Sequence, residues 1–421
     1  MLTLGDAISR VLAGAAPLAT ERVSLGRALE RLLAIDLTAR VDSPPFTNSA
    51  MDGFAVRADA LIGATHVSPV TLPVEGESRA GGALVPTCPP GATIRIFTGA
   101  PLPEGSDSVV LQEDVQHEGH VAVFRDPARQ GQNVRQRGED VAVGGILLPR
   151  GARLRAGDIG LLASQGIGEV EVYRRPRVAI LSTGDELRRL DEPERPGSIV
   201  NSNAYMLEAL VLDAGGTPDV RPIVSDTLPT LTASVREACA TSDLVISTGG
   251  VSVGDHDLMR DALGAAGVSM DFWKVAIKPG KPFAFGRAPH GSAVAGLPGN
   301  PVSAFVTFEV LVRPLLRVLA GDPRPHRRHL AAKLASAVKA TRGRDELLRA
   351  RLTEDATSPS GLGCVPVARR GSGALPALAG VDVLARIPAG EETVPAGALV
   401  QCLPLFDVPG VARTPFPLAM G

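Results

Sequence analysis

The 421-residue chain lacks most of the features that would announce a function outright. Its four cysteines, Cys88, Cys239, Cys364 and Cys402, lie far apart and form no C-x-x-C pair. That excludes a zinc ribbon or a dithiol redox motif and predicts four reduced, partly buried thiols. Aromatic residues make up 3% of the chain, too few for a base-stacking platform. The formal net charge is −2, so no broad basic surface for nucleic acid or membrane is expected. No apolar run reaches about 18 residues, and no basic segment followed by an apolar one opens the chain; the expectation is a cytoplasmic protein with no membrane partner. There is no G-x-x-x-x-G-K-[ST] and no nucleophile elbow, which excludes a P-loop NTPase and argues against a serine hydrolase.

Lysine is also scarce, with five residues against 38 arginines. Three of the five, Lys274, Lys278 and Lys281, fall in Trp273-Lys-Val-Ala-Ile-Lys-Pro-Gly-Lys-Pro282. Where arginine supplies almost all positive charge, a lysine cluster calls for a compact point charge on a flexible stem, which suits a phosphate or oxyanion site.

The length suggests two to four domains. Helical spacing is expected over residues 4–40, from Leu4, Ile8 and Leu12 and from Leu25, Leu29, Leu32 and Leu33. Residues 44–140, dense in Gly, Pro and short Val/Ile runs, read as β-rich, and 154–164 as a helix with Asp158 in its first turn. From Arg177 strands alternate with helices. Strands are expected at 178–181, 220–224, 244–246 and 292–297, with helices from Asn203 as cap to Leu212, over 228–240, and from the Asn300-Pro301 cap, the last kinked or ended by Pro314. Such alternation implies a parallel, doubly wound sheet. Residues 329–405 read as a small β-barrel. The expected division is 1–44 with 141–176, 45–140, 177–325 and 326–408.

Three loops follow the carboxyl ends of the expected strands, where open α/β sheets bind ligands. Ser182-Thr-Gly-Asp-Glu186 offers Asp185 and Glu186 as hard oxygen ligands for Mg²⁺, and Asp255 and Asp257 offer the same. Thr248, Gly249, Gly250 and Ser252 supply hydroxyls and successive backbone N–H groups, a nest for a phosphate. Pro298, Gly299, Asn300 and Pro301 make a stiff wall leading into a helix start. Upstream, Ser49-Ala-Met-Asp-Gly-Phe54 and Arg137-Gly-Glu-Asp140 each place an Asp in a Gly-bearing loop, a weak signal alone.

Together with Phe97-Thr-Gly-Ala100, Ser182-Thr-Gly-Asp-Glu-Leu187, Gly249-Gly-Val-Ser-Val-Gly254, Lys278-Pro-Gly-Lys-Pro282 and Gly296-Leu-Pro-Gly-Asn-Pro301, these strings resemble the molybdopterin molybdenumtransferases, the MoeA family to which the gephyrin E domain also belongs. The resemblance runs from about Leu4 to Pro404. It implies an elongated N-terminal domain, an inserted β-rich domain, a molybdopterin-binding α/β domain and a C-terminal β-barrel. It implies Mg²⁺-dependent insertion of molybdate into adenylylated molybdopterin, with release of AMP, in a homodimer whose cleft is shared between subunits. Carried over, Asp52, Thr98 and Asp140 would come from one subunit, and Glu186, Asp226, Asp257, Lys274, Lys278, Pro298 and Pro301 from the other. Ser182, Thr183, Gly184 and Lys281 join the expected substrate contacts. Contacts with the molybdopterin adenylyltransferase and with recipient molybdoenzymes are also implied. Phe54 stands where many relatives have Tyr, and Gln136 where Arg is common. Two other readings compete: an adenylyltransferase of the same pathway, and a gephyrin-like scaffold.

Overall fold

The computed structural model describes residues 1–82, 85–249, 258–367, 371 and 373–406. The chain divides into two units, Ile35–Glu169 and the remainder on either side of it.

In the larger unit, strands Thr217–Val220, Arg177–Ser182, Leu244–Thr248 and Ala293–Leu297 lie side by side and parallel. Val178–Leu181 and Leu244–Ile246 are apolar throughout because helices cover both faces of the sheet. On one face Leu207, Val211 and Leu316 pack with Val178, Ile180 and Ile246. On the other, Leu231, Val235, Met259 and Leu263 pack with Ala179, Leu181 and Val245. The sheet is thus doubly wound. It is not parallel to its edge, since Pro282–Arg287 runs antiparallel to Ala293–Leu297, and Ser269–Lys274 antiparallel to Pro282–Arg287. Of the lysine cluster, Lys274 ends the strand Ser269–Lys274, and Lys278 and Lys281 lie in the connection from it to Pro282–Arg287.

The helix Leu4–Leu12 adds to the first face through Leu4, Ala7, Ile8 and Val11. Its cap is Thr3, whose Oγ1 accepts from the Asp6 N–H at 3.1 Å, a contact worth about 1 kcal/mol. Beyond it the helical expectation fails. Leu25–Arg27 makes one short turn, Leu29 is exposed, and Glu30 has φ 64°, outside the right-handed region that a helix through Leu32 and Leu33 needs. Asn201, not Asn203, caps the helix Ser202–Asp213, with its side chain accepting from the Ala204 N–H. Asn300 and Pro301 do open a helix, Pro301–Thr307, but Pro314 does not end it. A π-helical turn at Phe308–Val312 absorbs the proline's missing N–H, and Arg313–Leu319 continues the path.

Five strands of the C-terminal part close a barrel: Asp345–Glu354, Leu362–Pro366, Leu330–Leu334, Leu399–Pro404 and Val383–Ile387, which pairs back to Asp345–Glu354. Cys364 and Cys402 are buried inside it with Ala350, Val383 and Ile387. A two-residue strand, Ile277–Lys278, runs parallel to Asp345–Glu354, with Ile277 opposite Asp345 and Lys278 opposite Glu346.

The smaller unit is mainly β. Its six-stranded sheet orders Ser108–Leu111, Gly53–Val56, Thr93–Ile96, Val70–Ser78, Val121–Phe124 and Val115–Glu118. Its core holds Phe54, Leu61, Leu72 and Phe124, and its one α-helix among the described residues is Ala156–Ser164. No helix among the described residues is long and apolar enough to cross a membrane.

Candidate active site

The three strand-end loops of the α/β sheet meet. The Thr183 N–H donates to the Thr248 carbonyl at 3.1 Å, and the Thr248 hydroxyl to Ser182 Oγ at 3.4 Å. Gly249 has φ +88°, and a Cβ there would stand 2.5 Å from the Thr183 carbonyl oxygen, so only glycine lets the second loop lie against the first. Gly299 of the third loop approaches Gly249 in turn. The Asn203 amide donates to the Gly299 carbonyl at 2.7 Å and ties that loop to the Ser202–Asp213 helix. Ser182 is buried behind this meeting point, holding Thr248.

Two adjoining cavities open here, sharing Pro282, Pro298 and Asn300. The first, of about 610 Å³, is lined by uncharged polar groups of Thr183, Asn201, Ser202, Asn203 and Thr248, by Gly249, Gly299 and Pro301, and, among its described lining residues, by one carboxylate, Glu186. The second, of about 810 Å³, lies against the barrel. It gathers Lys278, Lys281, Lys339, Arg344 and Arg349, with Glu346 the single acidic side chain among its described lining residues. Burial pushes the Arg349 guanidinium below its usual value, opposed by the Glu346 charge. An anion in this cavity would meet several cations already gathered. Lys274 lines neither cavity; it ends its strand opposite Pro282.

At the mouth of the first loop, carboxylates crowd one another. Burial raises the Asp226 carboxyl above its usual value, and the Asp185 and Glu186 charges raise it further, against a hydrogen bond from Thr183. Glu186 folds back over Gly184, whose Cβ, if present, would lie 2.6 Å from Glu186 Oε2. Such a cluster suits a divalent cation. Even so, no group of three His, Cys, Asp or Glu among the described residues is arranged to hold a metal ion. Gly250, Ser252, Asp255 and Asp257 lie outside the described residues.

In the smaller unit the motif carboxylates are already satisfied. Asp52 Oδ1 accepts from both the backbone N–H and the hydroxyl of Thr98, each at 2.7 Å. Those bonds, the backbone one first, hold its pKa below the usual range, helped by Arg95. The Gly99 N–H donates to the Ser49 carbonyl at 2.8 Å, so the 49–54 and 97–100 strings form one stitched pair of loops. Asp140 is bound by Arg135 at 2.5 Å and by the Ser43 hydroxyl at 3.2 Å, and the Arg135 hydrogen bond lowers its pKa. Phe54 is buried in the core of the unit, a packing position.

Sequence reasoning missed Thr341, Arg344, Glu346 and Arg349, because they come from barrel strands and loops that carry no motif. It also missed Asn201 and Asn203 as lining residues. The only available signal was an Asn-Ser-Asn run opening a helix beside the first loop.

Comparison with known proteins agrees with this architecture. Residues 2–166 match the MoeA N-terminal region (domain I and II), 179–318 the probable molybdopterin binding domain, and 331–405 the MoeA C-terminal region (domain IV). The molybdopterin molybdenumtransferase of a Nostoc species is 42% identical over 72% of this chain and 70% of its own. That of Bacillus subtilis is 35% identical over 91% and 89%. The crystal structure of the molybdopterin biosynthesis MoeA protein from Pyrococcus horikoshii superposes with a TM-score of 0.83 at 29% identity, covering 96% of this chain and all of that one. The chain belongs to the MoeA family, the transferases named molybdopterin molybdenumtransferase.

Proposed function

We propose that this protein inserts molybdate into adenylylated molybdopterin and releases AMP, as a homodimer. The observation that supports this most is the pair of adjoining cavities, one lined mainly by uncharged hydrogen-bonding groups beside Glu186, the other densely cationic. A heterocycle with an exocyclic phosphate suits the first, where Thr183, Thr248 and Asn203 present hydroxyl and amide groups. An oxyanion suits the second. The loop Pro298–Pro301, stiffened by two prolines and held through Gly299 by Asn203, keeps the two ligands at a set spacing. The central difficulty is bringing two anions together, so charge neutralisation and positioning would account for most of the catalysis. In this reading Lys278 and Lys281 contact the oxyanion and Lys274 adds long-range positive charge. Thr248 and Gly249, which line the first cavity, contact the phosphate.

Asp185 and Glu186 would hold Mg²⁺ with Asp255 and Asp257 as the other donors, and Asp226 beside them would contact the substrate. The cation would supply charge neutralisation at the phosphate. Asp52, Thr98 and Asp140 would be contributed by the second subunit. Asp52 and Asp140 would serve as fixed negative ends of rigid loops, since each is already held by donors of its own unit. The adenylyltransferase and recipient molybdoenzymes would be transient partners.

The test is anaerobic activation of a cofactor-free molybdoenzyme by this protein with adenylylated molybdopterin, molybdate and Mg²⁺. Activation with AMP appearing in step is expected. Adenylylation of molybdopterin from ATP with no molybdate insertion would overturn the reading in favour of an adenylyltransferase.

A further inference from the structure

Lys278 is exposed enough to meet a ligand, yet it is not a loose side chain. Its Nζ donates to Glu346 Oε2 at 3.2 Å and to Thr341 Oγ1 at 3.3 Å. The Thr341 hydroxyl in turn donates to the same Glu346 oxygen at 3.1 Å. The three groups close a triangle. Backbone pairing underlies it: Lys278 lies opposite Glu346 where the Ile277–Lys278 strand runs along the barrel strand Asp345–Glu354. The Asp345 N–H donates to the Ala276 carbonyl at 3.0 Å and continues the ladder. Glu346's side chain is 15% exposed, against 47% for Lys278, so the carboxylate forms the buried floor and the ammonium the accessible end. All three residues line the cationic cavity, in which Glu346 is the single carboxylate among the described lining residues.

A carboxylate at the floor of an anion site weakens anion binding in general. Its presence there points to a task that repays that loss. From this triangle we infer that Glu346 and Thr341 are positioning residues for Lys278. They hold its ammonium at one place in the cavity wall and keep resting charge from gripping the oxyanion too tightly. The barrel thereby contributes to the reaction through a residue it does not itself place on the substrate. The inference rests on the proposed role of Lys278 in oxyanion handling. Two measurements separate it from that role.

The first needs no turnover. Lys278 in the whole protein is labelled with an amine-reactive reagent and read by mass spectrometry, with Lys333 as internal reference. Glu346→Ala and Thr341→Val should each speed Lys278 labelling several-fold, because each frees the amine from a hydrogen-bond partner. Unchanged labelling would overturn the positioning claim whatever the enzyme does.

The second compares binding with rate. Molybdate alone should bind Glu346→Gln tighter than the parent by about threefold to tenfold at low salt, since one opposing charge is gone. Its insertion rate should nonetheless fall by about tenfold through lost positioning. Thr341→Val, which keeps the carboxylate, should lower the rate with binding unchanged. Weaker molybdate binding to Glu346→Gln together with a falling thermal midpoint would make Glu346 a docking residue of the barrel and overturn the proposal. If the parent inserts no molybdate while labelling responds as expected, the functional reading fails and the triangle stands.

Discussion

Two motif carboxylates of the smaller unit and Asp226 of the larger one are held in opposite ways. Asp52 and Asp140 in the smaller unit are each met by donors, Thr98 in one case and Arg135 with Ser43 in the other, and both are held below the usual carboxyl range. Asp226 in the larger unit is raised by burial and by the neighbouring charges of Asp185 and Glu186. A satisfied carboxylate fixes a loop. A crowded one holds unspent attraction for a cation. The same residue type in loops of the two units therefore serves two purposes, and the local donors decide which.

The sharpest break in that comparison would come from the cationic cavity and its acidic neighbour. Lys278→Ala should lower molybdate insertion by about 10²-fold with a normal fold, on the scale of one lost preorganised donor. Lys278→Arg should recover only part, because the guanidinium is larger and cannot sit in the triangle with Glu346 and Thr341. Near-parental activity of Lys278→Ala would remove the cavity from the reaction. Glu186→Ala should cost a similar factor while leaving the thermal midpoint unchanged or slightly raised, since it relieves crowding.

Gly249→Ala should come next, as a test of whether the loops must touch. The alanine would have to hold φ +88° with its Cβ 2.5 Å from the Thr183 carbonyl oxygen. Strain of this kind costs about 1–3 kcal/mol. Calorimetry should show a midpoint lower by several degrees, and insertion should fall with it. A midpoint matching the parent would mean that the meeting of the loops at Thr183 is slack.

Much of this could be read before any coordinates. The apolar runs 178–181 and 244–246 are unmistakable because both their faces are covered. The lysine cluster stands out against an arginine-rich background. What failed to show has physical causes. Thr341 and Glu346 carry no motif, and Glu346 reaches Lys278 across 68 residues only because a two-residue strand pairs with the barrel. The leucines from 25 to 33 carry a helical spacing that one left-handed residue, Glu30, interrupts. Asn201 and Asn203 have the same chemistry two residues apart, and only the local backbone decides which caps the helix and which reaches Gly299.

Asp140→Ala tests the other side of the comparison and should be milder in stability than Gly249→Ala. It strips the Arg135 and Ser43 contacts, so the midpoint should fall slightly. The change should shrink in high salt, as expected for an exposed ion pair. Glu186→Ala under the same conditions should not fall. Equal falls in both variants would erase the distinction between satisfied and crowded carboxylates.

The smallest expected effect is the most diagnostic of crowding. Asp226's carboxyl sits above its ordinary value of 3.8 in the folded chain, through burial first and the Asp185 and Glu186 charges second. Between the ordinary and the raised value, the native state keeps a proton that the unfolded chain has lost. Stability therefore falls as pH rises through that window, and the loss is complete above the raised value. Asp226→Asn removes the titration. The variant should gain a little in thermal midpoint over the parent at pH 7.5 and less at pH 4.5, with the gain shrinking in high salt. Millimolar Mg²⁺ should raise the parent's midpoint more than the variant's, because the cation relieves the same repulsion that the substitution removes. A variant that loses stability equally at both pH values, with no response to Mg²⁺, would show that Asp226 is held by Thr183 as firmly as Asp52 is by Thr98. The two units would then use their carboxylates alike.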